Sequence, residues 1–237
     1  MSLKNFVDVN SLFYKIYLRY NLYIRHKAHK NRKAYSQWGE DSYIKDFFNN
    51  KKKGFYVDIG CFHPILYSNT CLLHNEGWEG INIDANQTSI DLFNISRPYD
   101  HNICAAISDK KESRDFFIDH LFSPVNTIEE SFFESANKSI SFKNLKKNKV
   151  ETKTFSDVVK GINDLPEINF LNIDCEGHDC SVLKSFNLKK HKPELICIET
   201  HEDNGDRKKE YLDIINILDS SNYKIFKRCG PSSIFVK

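Results

Sequence analysis

The sequence predicts an α/β fold, a mostly parallel β-sheet with helices packed against it and an antiparallel hairpin at its end. Three observations lead there. Short apolar runs in FYVDI, GINID, NICAAISD, INFLNID and ELICIE have the near-continuous hydrophobicity of strands covered on both faces. Segments with helical spacing of apolar residues separate them, which is the rhythm of βα units. The chain then closes with YKIFKRCGPSSIFVK, two strand-like runs joined at Gly230-Pro231.

At 237 residues, 40% hydrophobic and 28% charged, the chain is sized for one α/β core with a short extension. It holds no apolar run long enough to span a bilayer and no secretory signal, so a soluble, cytoplasmic protein is expected. Its seven cysteines form no CxxC pair, which suits free thiols rather than a disulfide framework. Charge is unevenly spread: residues 1–33 carry eight Lys or Arg against the single Asp8, leaving the remainder at −5.

That basic segment, 1–33, reads as an arm separate from a main domain over 34–237. Leu12, Phe13, Ile16, Tyr17, Tyr20, Tyr23 and Ile24 fall at helical spacing. Such a helix either packs on the core with solvated lysines or lies on a surface, touching anionic lipid or a partner. HKAHKNRK, 26–33, reads as a linker. In AYSQWGEDSYIKDFF, Ser36 is the expected N-cap of a helix covering the sheet, with Gln37, Gly39 and Glu40 near the ligand cleft.

The central stretch is GFYVDIGCFHPILYSNT, residues 54–70, where the first strand ends on Asp58 and breaks at Gly60. Lacking a Cβ, Gly60 allows a tight turn and close approach of a ligand, and ligands of open α/β sheets bind beyond the carboxyl ends of the strands. A nucleoside-type cofactor seated on Asp58 and Gly60 is the expectation. Ser68 is expected to cap a helix through Thr70, Leu72 and Leu73 that ends at Gly77, its amides facing the cofactor. The second strand ends on Asp84, placed to take both ribose hydroxyls; a turn aspartate is the plain alternative.

Thr88 or Ser89 caps the next helix, which Pro98 stops, and the third strand, 102–109, ends on Asp109, a candidate partner for an adenine amino group. Residues 110–153 interrupt the rhythm as an insertion expected to shape the binding site. Within it Phe116–Ile118 reads as a strand, SPVNTIEESFFESANKS as loop, and Lys138, Lys143, Lys146, Lys147, Lys149 and Lys153 as either an attraction for a nucleotide-linked acceptor or a solvated face. FSDVVKG makes a helix with Gly161 as its C-cap. The fourth strand ends among Asp174, Glu176, His178 and Asp179, and the fifth among Glu199, His201, Glu202 and Asp203, so two strands would deliver these side chains to one sheet edge. Residues 206–219 read as an amphipathic helix.

Five ordered blocks, SQWGED, FYVDIGCFHPILYSNT, GWEGINIDAN, FLNIDCEGHD and ICIETH, resemble the FkbM family of S-adenosylmethionine-dependent methyltransferases, in the subgroup that opens with SQxGED. The resemblance runs from about Tyr35 to the end and implies a class I, Rossmann-like sheet of seven strands, the last antiparallel, with helices on both faces. It implies O-methylation of a hydroxyl, often on a sugar or polyketide, with S-adenosylmethionine as the cofactor. It also places Asp58 and Gly60 in the cofactor loop, Asp84 with Ala85 at the ribose, and Asp174, Glu176 and Gly177 in a DxEG block; Gln37, Glu40, Ser68, Asn69, Thr70 and Asp109 complete the expected cofactor set. One departure stands out: where many methyltransferases have a second glycine after DIG, this chain reads CFHP, and Pro64 must bend the backbone differently.

Methyl transfer needs acceptor oxygen, methyl carbon and sulfur held in line, and a base near a poorly nucleophilic hydroxyl. His201, Asp174 and Glu176 are the catalytic candidates. Asp174, Glu199 and His201 would alternatively form an oxygen-rich site for Mg²⁺ or Mn²⁺; zinc on Cys175, His178 and Cys180 fits less well. A nicotinamide dehydrogenase would require GxGxxG, which CFHP violates. A nucleic-acid module would leave Asp58, Asp84 and DxEG unexplained, so DNA is not an expected partner. A sugar or nucleotide-linked glycan acceptor ranks above RNA-directed or non-catalytic readings, with peripheral membrane contact through the arm as a further expectation.

Overall fold

In the computed structural model, residues 9, 11–26, 32–49, 51–140 and 146–237 are described. The chain opens with α1 (Leu12–Tyr20), capped by the Ser11 side chain, which continues as a π-helical turn over Asn21–Arg25. Tyr14, Leu18 and Leu22 on its inner face pack against Leu92, and the Tyr14 hydroxyl donates to Asp91 at 2.7 Å. Most of the expected linker, 27–31, lies outside the described residues.

Helix α2 (Glu40–Phe47) starts later than the sequence suggested: its N-cap is Gly39, at φ +84°, and not Ser36. The Ser36 hydroxyl instead donates to Asp41 at 2.6 Å, because Asp41 folds back onto the chain before the helix. β1 (Phe55–Ile59) follows, then α3 (Cys71–Asn75), a single short turn whose N-cap Thr70 makes no capping hydrogen bond. The expected longer helix capped by Ser68 is absent because residues 61–70 are held in a loop; Gly77, at φ +90°, does end the helix. β2 (Glu79–Asp84) leads to α4 (Gln87–Ser96), capped by the Asn86 side chain at Thr88 N, and not by Thr88 or Ser89.

The expected third strand splits into β3 (His101–Cys104) and β4 (Ala106–Ile107), which belong to different sheets. β5 (Ser113–Ile118), α5 (Glu130–Ile140) and β6 (Lys146–Lys153) build the insertion, so part of the stretch read as loop is helical and the lysine-rich run is a strand. β6 pairs antiparallel with β5, giving a three-stranded sheet in the order β4-β6-β5. Lys147 and Lys149 pair with Asp115 on β5, at 3.4 and 2.7 Å, which satisfies two of the lysines proposed for an acceptor; Lys143 and the Lys138 side chain lie outside the described residues.

α6 (Phe155–Val159) starts with a capping box of Thr154 and Asp157 and ends at Lys160, not on a left-handed Gly161. Then come β7 (Phe170–Ile173), α7 (Asp179–Ser185), α8 (Leu188–His191), β8 (Leu195–Glu199), α9 (Tyr211–Ser220), β9 (Lys224–Cys229) and β10 (Ser232–Val236). Seven strands form the main sheet in the order β3-β2-β1-β7-β8-β10-β9, parallel except for β10, which runs antiparallel to both neighbours. Side chains alternate across it. Phe55, Val57, Ile59, Leu171 and Ile173 pack on α6, α7 and α9, while Tyr56, Phe170, Leu195 and Cys197 pack on α2, α3 and Trp78. Helices therefore cover both faces, and the carboxyl ends of β1, β2 and β7 lie side by side in register.

Candidate active site

At those carboxyl ends a cleft encloses about 930 Å³ free of protein atoms, part of it continuous with solvent. Gly60 forms its floor at φ +81°, and a Cβ there would stand 1.7 Å from the Asp174 carbonyl oxygen, so the β1 and β7 turns meet only because position 60 is glycine. Gly60 N and Cys61 N both donate to Ile83 O, tying the loop to β2.

Asp58 lines the cleft, held in place by protein groups. It is buried, and its two carboxylate oxygens accept from Thr70 Oγ1 at 2.7 Å and Asn172 Nδ2 at 2.8 Å. Asn172 in turn accepts from Asn69, and Arg97 donates to Thr70 Oγ1, the Tyr56 hydroxyl and Pro64 O. This buried chain of polar groups fixes the 61–70 loop, a task that sequence reading assigned to no residue; Arg97, only 1% exposed, passed as the residue before a helix-stopping proline. Inside the loop, His63 Nδ1 accepts from Ile65 N and Leu66 N, both at 3.0 Å, and its Nε2 meets Asn21 Oδ1 at 2.9 Å. His63 thus organises the bend that CFHP imposes. Phe62 and Tyr67, whose rings stack 6.4 Å apart, both adopt positive φ, 44° and 57°.

Asp84 lies at the cleft and accepts from Phe62 N at 2.9 Å through Oδ2 and from Asn86 N at 2.7 Å through Oδ1. Burial pushes its carboxyl up to about 6, against the lowering effect of those amides. Ala85, Ser68, Asn69 and Gln37 also face the cleft. Glu40, Thr70 and Asp109 are not among its lining residues. Glu40 is buried and accepts from Trp38 N. Thr70 belongs to the polar chain behind the wall, and Asp109 is exposed beside Ser108, since the break after Cys104 carries it away.

Opposite Asp84 stand Asp174 and Glu176, both lining the cleft. Burial raises the Asp174 carboxyl well above its ordinary range, and Glu199, Glu176 and Asp179 add to the rise. Glu176 is raised by burial and by Glu199. It sits at φ +48° ahead of Gly177 at +92°, a strained turn whose Glu176 carbonyl accepts from Thr127 Oγ1 at 3.0 Å. His178 completes this edge, its Nε2 3.1 Å from Ser108 Oγ.

His201 lies elsewhere. It is buried outside the cleft lining, its Nδ1 2.8 Å from Thr200 Oγ1 and its ring against Tyr211. The strand that carries it ends at Glu199, and Thr200 and His201 are tied to the β9–β10 turn through Pro231 O. Glu199 is engaged by Lys208, which also contacts Asp179 at 3.2 Å. Asp174, Glu199 and His201 therefore do not assemble as a ligand set, and among the described residues no group of three or more His, Cys, Asp or Glu is arranged to hold a metal ion, Cys175, His178 and Cys180 included.

The opposite wall comes from the insertion: Phe116, Ser123, Pro124, Asn126, Thr127 and Ile128. A second cavity adjoins, sharing Phe62, Tyr67, Ser89 and Pro124 with the first and extending to Asn21, Arg25, His63 and His120.

Residues 52–225 match the model of the methyltransferase FkbM domain. The chain belongs to the FkbM methyltransferase family. The matched span includes the Gly60 turn, Asp84, the insertion and the DxEG block, so the whole cleft apart from Gln37 is FkbM-domain structure. A crystal structure of a methyltransferase FkbM from Methylobacillus flagellatus KT is similar over 78% of this chain and 44% of that one, at 14% identity and a TM-score of 0.47. This chain thus spans less than half the length of that FkbM protein. A comparison with curated proteins finds no match.

Proposed function

We propose that this FkbM-domain protein is an S-adenosylmethionine-dependent O-methyltransferase of the SQxGED subgroup, built on a class I, Rossmann-like sheet and acting in the cytoplasm on a hydroxyl of a sugar or other small glycan acceptor. One observation carries the reading: among the described residues, the cleft is lined by Asp58, Asp84, Asp174 and Glu176 and by no Lys or Arg. Such a lining suits a cationic sulfonium ligand and disfavours the pyrophosphate of a dinucleotide. Asp84 fits the ribose as well, because its carboxylate lies half-buried at the cleft and is oriented there by the Phe62 and Asn86 amides.

Bound there, S-adenosylmethionine would supply an electrophilic methyl group on a positively charged sulfur. Asp84 would hold the ribose diol, and the Gly60 backbone would let the ligand lie against the floor. Asp174 and Glu176 replace His201 as the acid–base candidates. Both line the cleft, and burial raises their affinity for a proton above that of an exposed carboxylate, which makes each ionised form the stronger base. The insertion wall and the rings of Phe62 and Tyr67 would exclude water and offer flat faces to a sugar ring.

Calorimetric titration with S-adenosylhomocysteine, with NAD as the control, tests the cofactor assignment. Micromolar binding of the first and none of the second is expected. A folded protein that binds neither would sink the enzymatic reading. Given binding, Glu176→Gln and Asp174→Asn should leave affinity within a few-fold and reduce turnover of a screened acceptor by about 10²-fold or more.

A further inference from the structure

The N-terminal helix has two apolar faces, and among the described residues only one is buried. Tyr14, Leu18, Asn21 and Leu22 are buried against the core. Leu12, Phe13, Ile16, Tyr20, Tyr23 and Ile24, which the helical period sets on the opposite side, are exposed by 43 to 80%. A docked helix ordinarily turns a polar face outward, and clustered exposed apolar side chains mark an interaction surface. Lys15, Arg19 and Arg25 are exposed on the same helical segment, and none forms a salt bridge among the described residues. In sequence the neighbourhood is more basic still, since residues 9–33 contain seven Lys or Arg and no Asp or Glu.

We propose that this outward face seats the protein on an anionic lipid bilayer. Exposed Phe, Leu and Ile enter the acyl boundary, tyrosines sit at headgroup level, and the basic side chains meet lipid phosphates and carboxylates. Charge argues for lipid over a second copy of the chain, because two such faces would bring together like charges with no acid to neutralise them. Among the described residues no helix is long and apolar enough to cross a membrane, so the contact is peripheral. The inner side of the helix also borders the second cavity, through Asn21 and Arg25.

Flotation of the full chain with vesicles tests the proposal, comparing phosphatidylcholine alone with a phosphatidylcholine–phosphatidylserine mixture. Binding to the mixture, weakened by salt, is expected. Phe13→Ser/Ile16→Ser should lower the partition coefficient roughly tenfold or more, and Lys15→Glu/Arg19→Glu should abolish the preference for phosphatidylserine. Both pairs are exposed, and circular dichroism with a melting curve checks that each variant folds. Failure to float with anionic vesicles, or flotation unchanged in folded Phe13→Ser/Ile16→Ser, overturns the proposal. So does a wild-type dimer, measured by light scattering, that dissociates in that variant, because the face would then belong to a second copy.

Discussion

At the scale of single residues, carboxylates are sorted by what their neighbours leave free. Asp58 and Asp84 both line the cleft with one hydrogen bond at each oxygen, but Asp58 is buried behind Thr70 and Asn172, whereas Asp84 is half-buried. Asp84 must be ionised to offer acceptors on both oxygens, and burial raises it to about 6. Affinity for S-adenosylhomocysteine should therefore hold above pH 7 and decline as pH falls through about 6, measured by calorimetry. In Asp84→Asn the decline should vanish and affinity should already be low at pH 7. His201 makes the opposite case. Outside the cleft and hydrogen-bonded to Thr200, it should be replaceable by Ala with ligand affinity unchanged and only thermal stability reduced, as a melting curve would read. A loss of affinity in a folded His201→Ala protein would place it back in the site.

At the scale of elements, two buried cations join segments distant in sequence. Arg97, at the end of α4, donates to β1 through Tyr56 and to the 61–70 loop through Pro64 and Thr70. Arg97→Met would leave those acceptors buried without a donor, and a cost of about 3 to 5 kcal/mol is expected in chemical denaturation. Lys208 does the same between α7 and β8, through Asp179 and Glu199. Burial alone would lower its ammonium, but Asp179 and Glu199 outweigh that and hold it above its ordinary value. Lys208→Met should cost a similar amount, about 3 to 5 kcal/mol, and Lys208→Met/Glu199→Leu should recover part of it, because removing both charges is milder than stranding one. Arg97 lies where the sequence reads as a helix stop and Lys208 within a segment that reads as an amphipathic helix, since only burial distinguishes them from the many exposed Lys and Arg.

At the scale of the whole molecule, the sheet gathers acids that the unfolded chain keeps apart. Asp84, Asp174 and Glu176 all bind protons more tightly when folded, through burial first and then repulsion from neighbouring carboxylates such as Asp58 and Glu199. A raised carboxyl favours the folded state while it is protonated, so its contribution is lost as pH rises from the unfolded value through the folded one. For Asp84 that window runs from about 4 to about 6. The melting temperature of the ligand-free protein should accordingly fall as pH rises across this window, and a sulfonium ligand should offset part of the fall. A melting temperature that climbs steadily over the same window would contradict the burial of these groups.

The sequence by itself marked the main-sheet strands, parallel up to a terminal hairpin, and the cluster at 174–179, because buried strands and turn residues leave period and punctuation in the chain; it ran the third strand on into β4, which belongs to the other sheet. It also marked Gly60 and Asp84, where a backbone turn and a strand end each demand a residue type. Only the tertiary structure decided which carboxylates face the cleft. Asp84 and Asp109 both end runs that read as strands, yet Asp84 lines the cleft while the break after Cys104 carries Asp109 away, and Asp58 lines it only as a buried partner of Thr70 and Asn172. The same holds for the insertion, whose lysines pair with Asp115 across two strands while its Phe116, Thr127 and Ile128 wall the site. Those contacts join residues far apart in sequence, and local pattern carries no record of them.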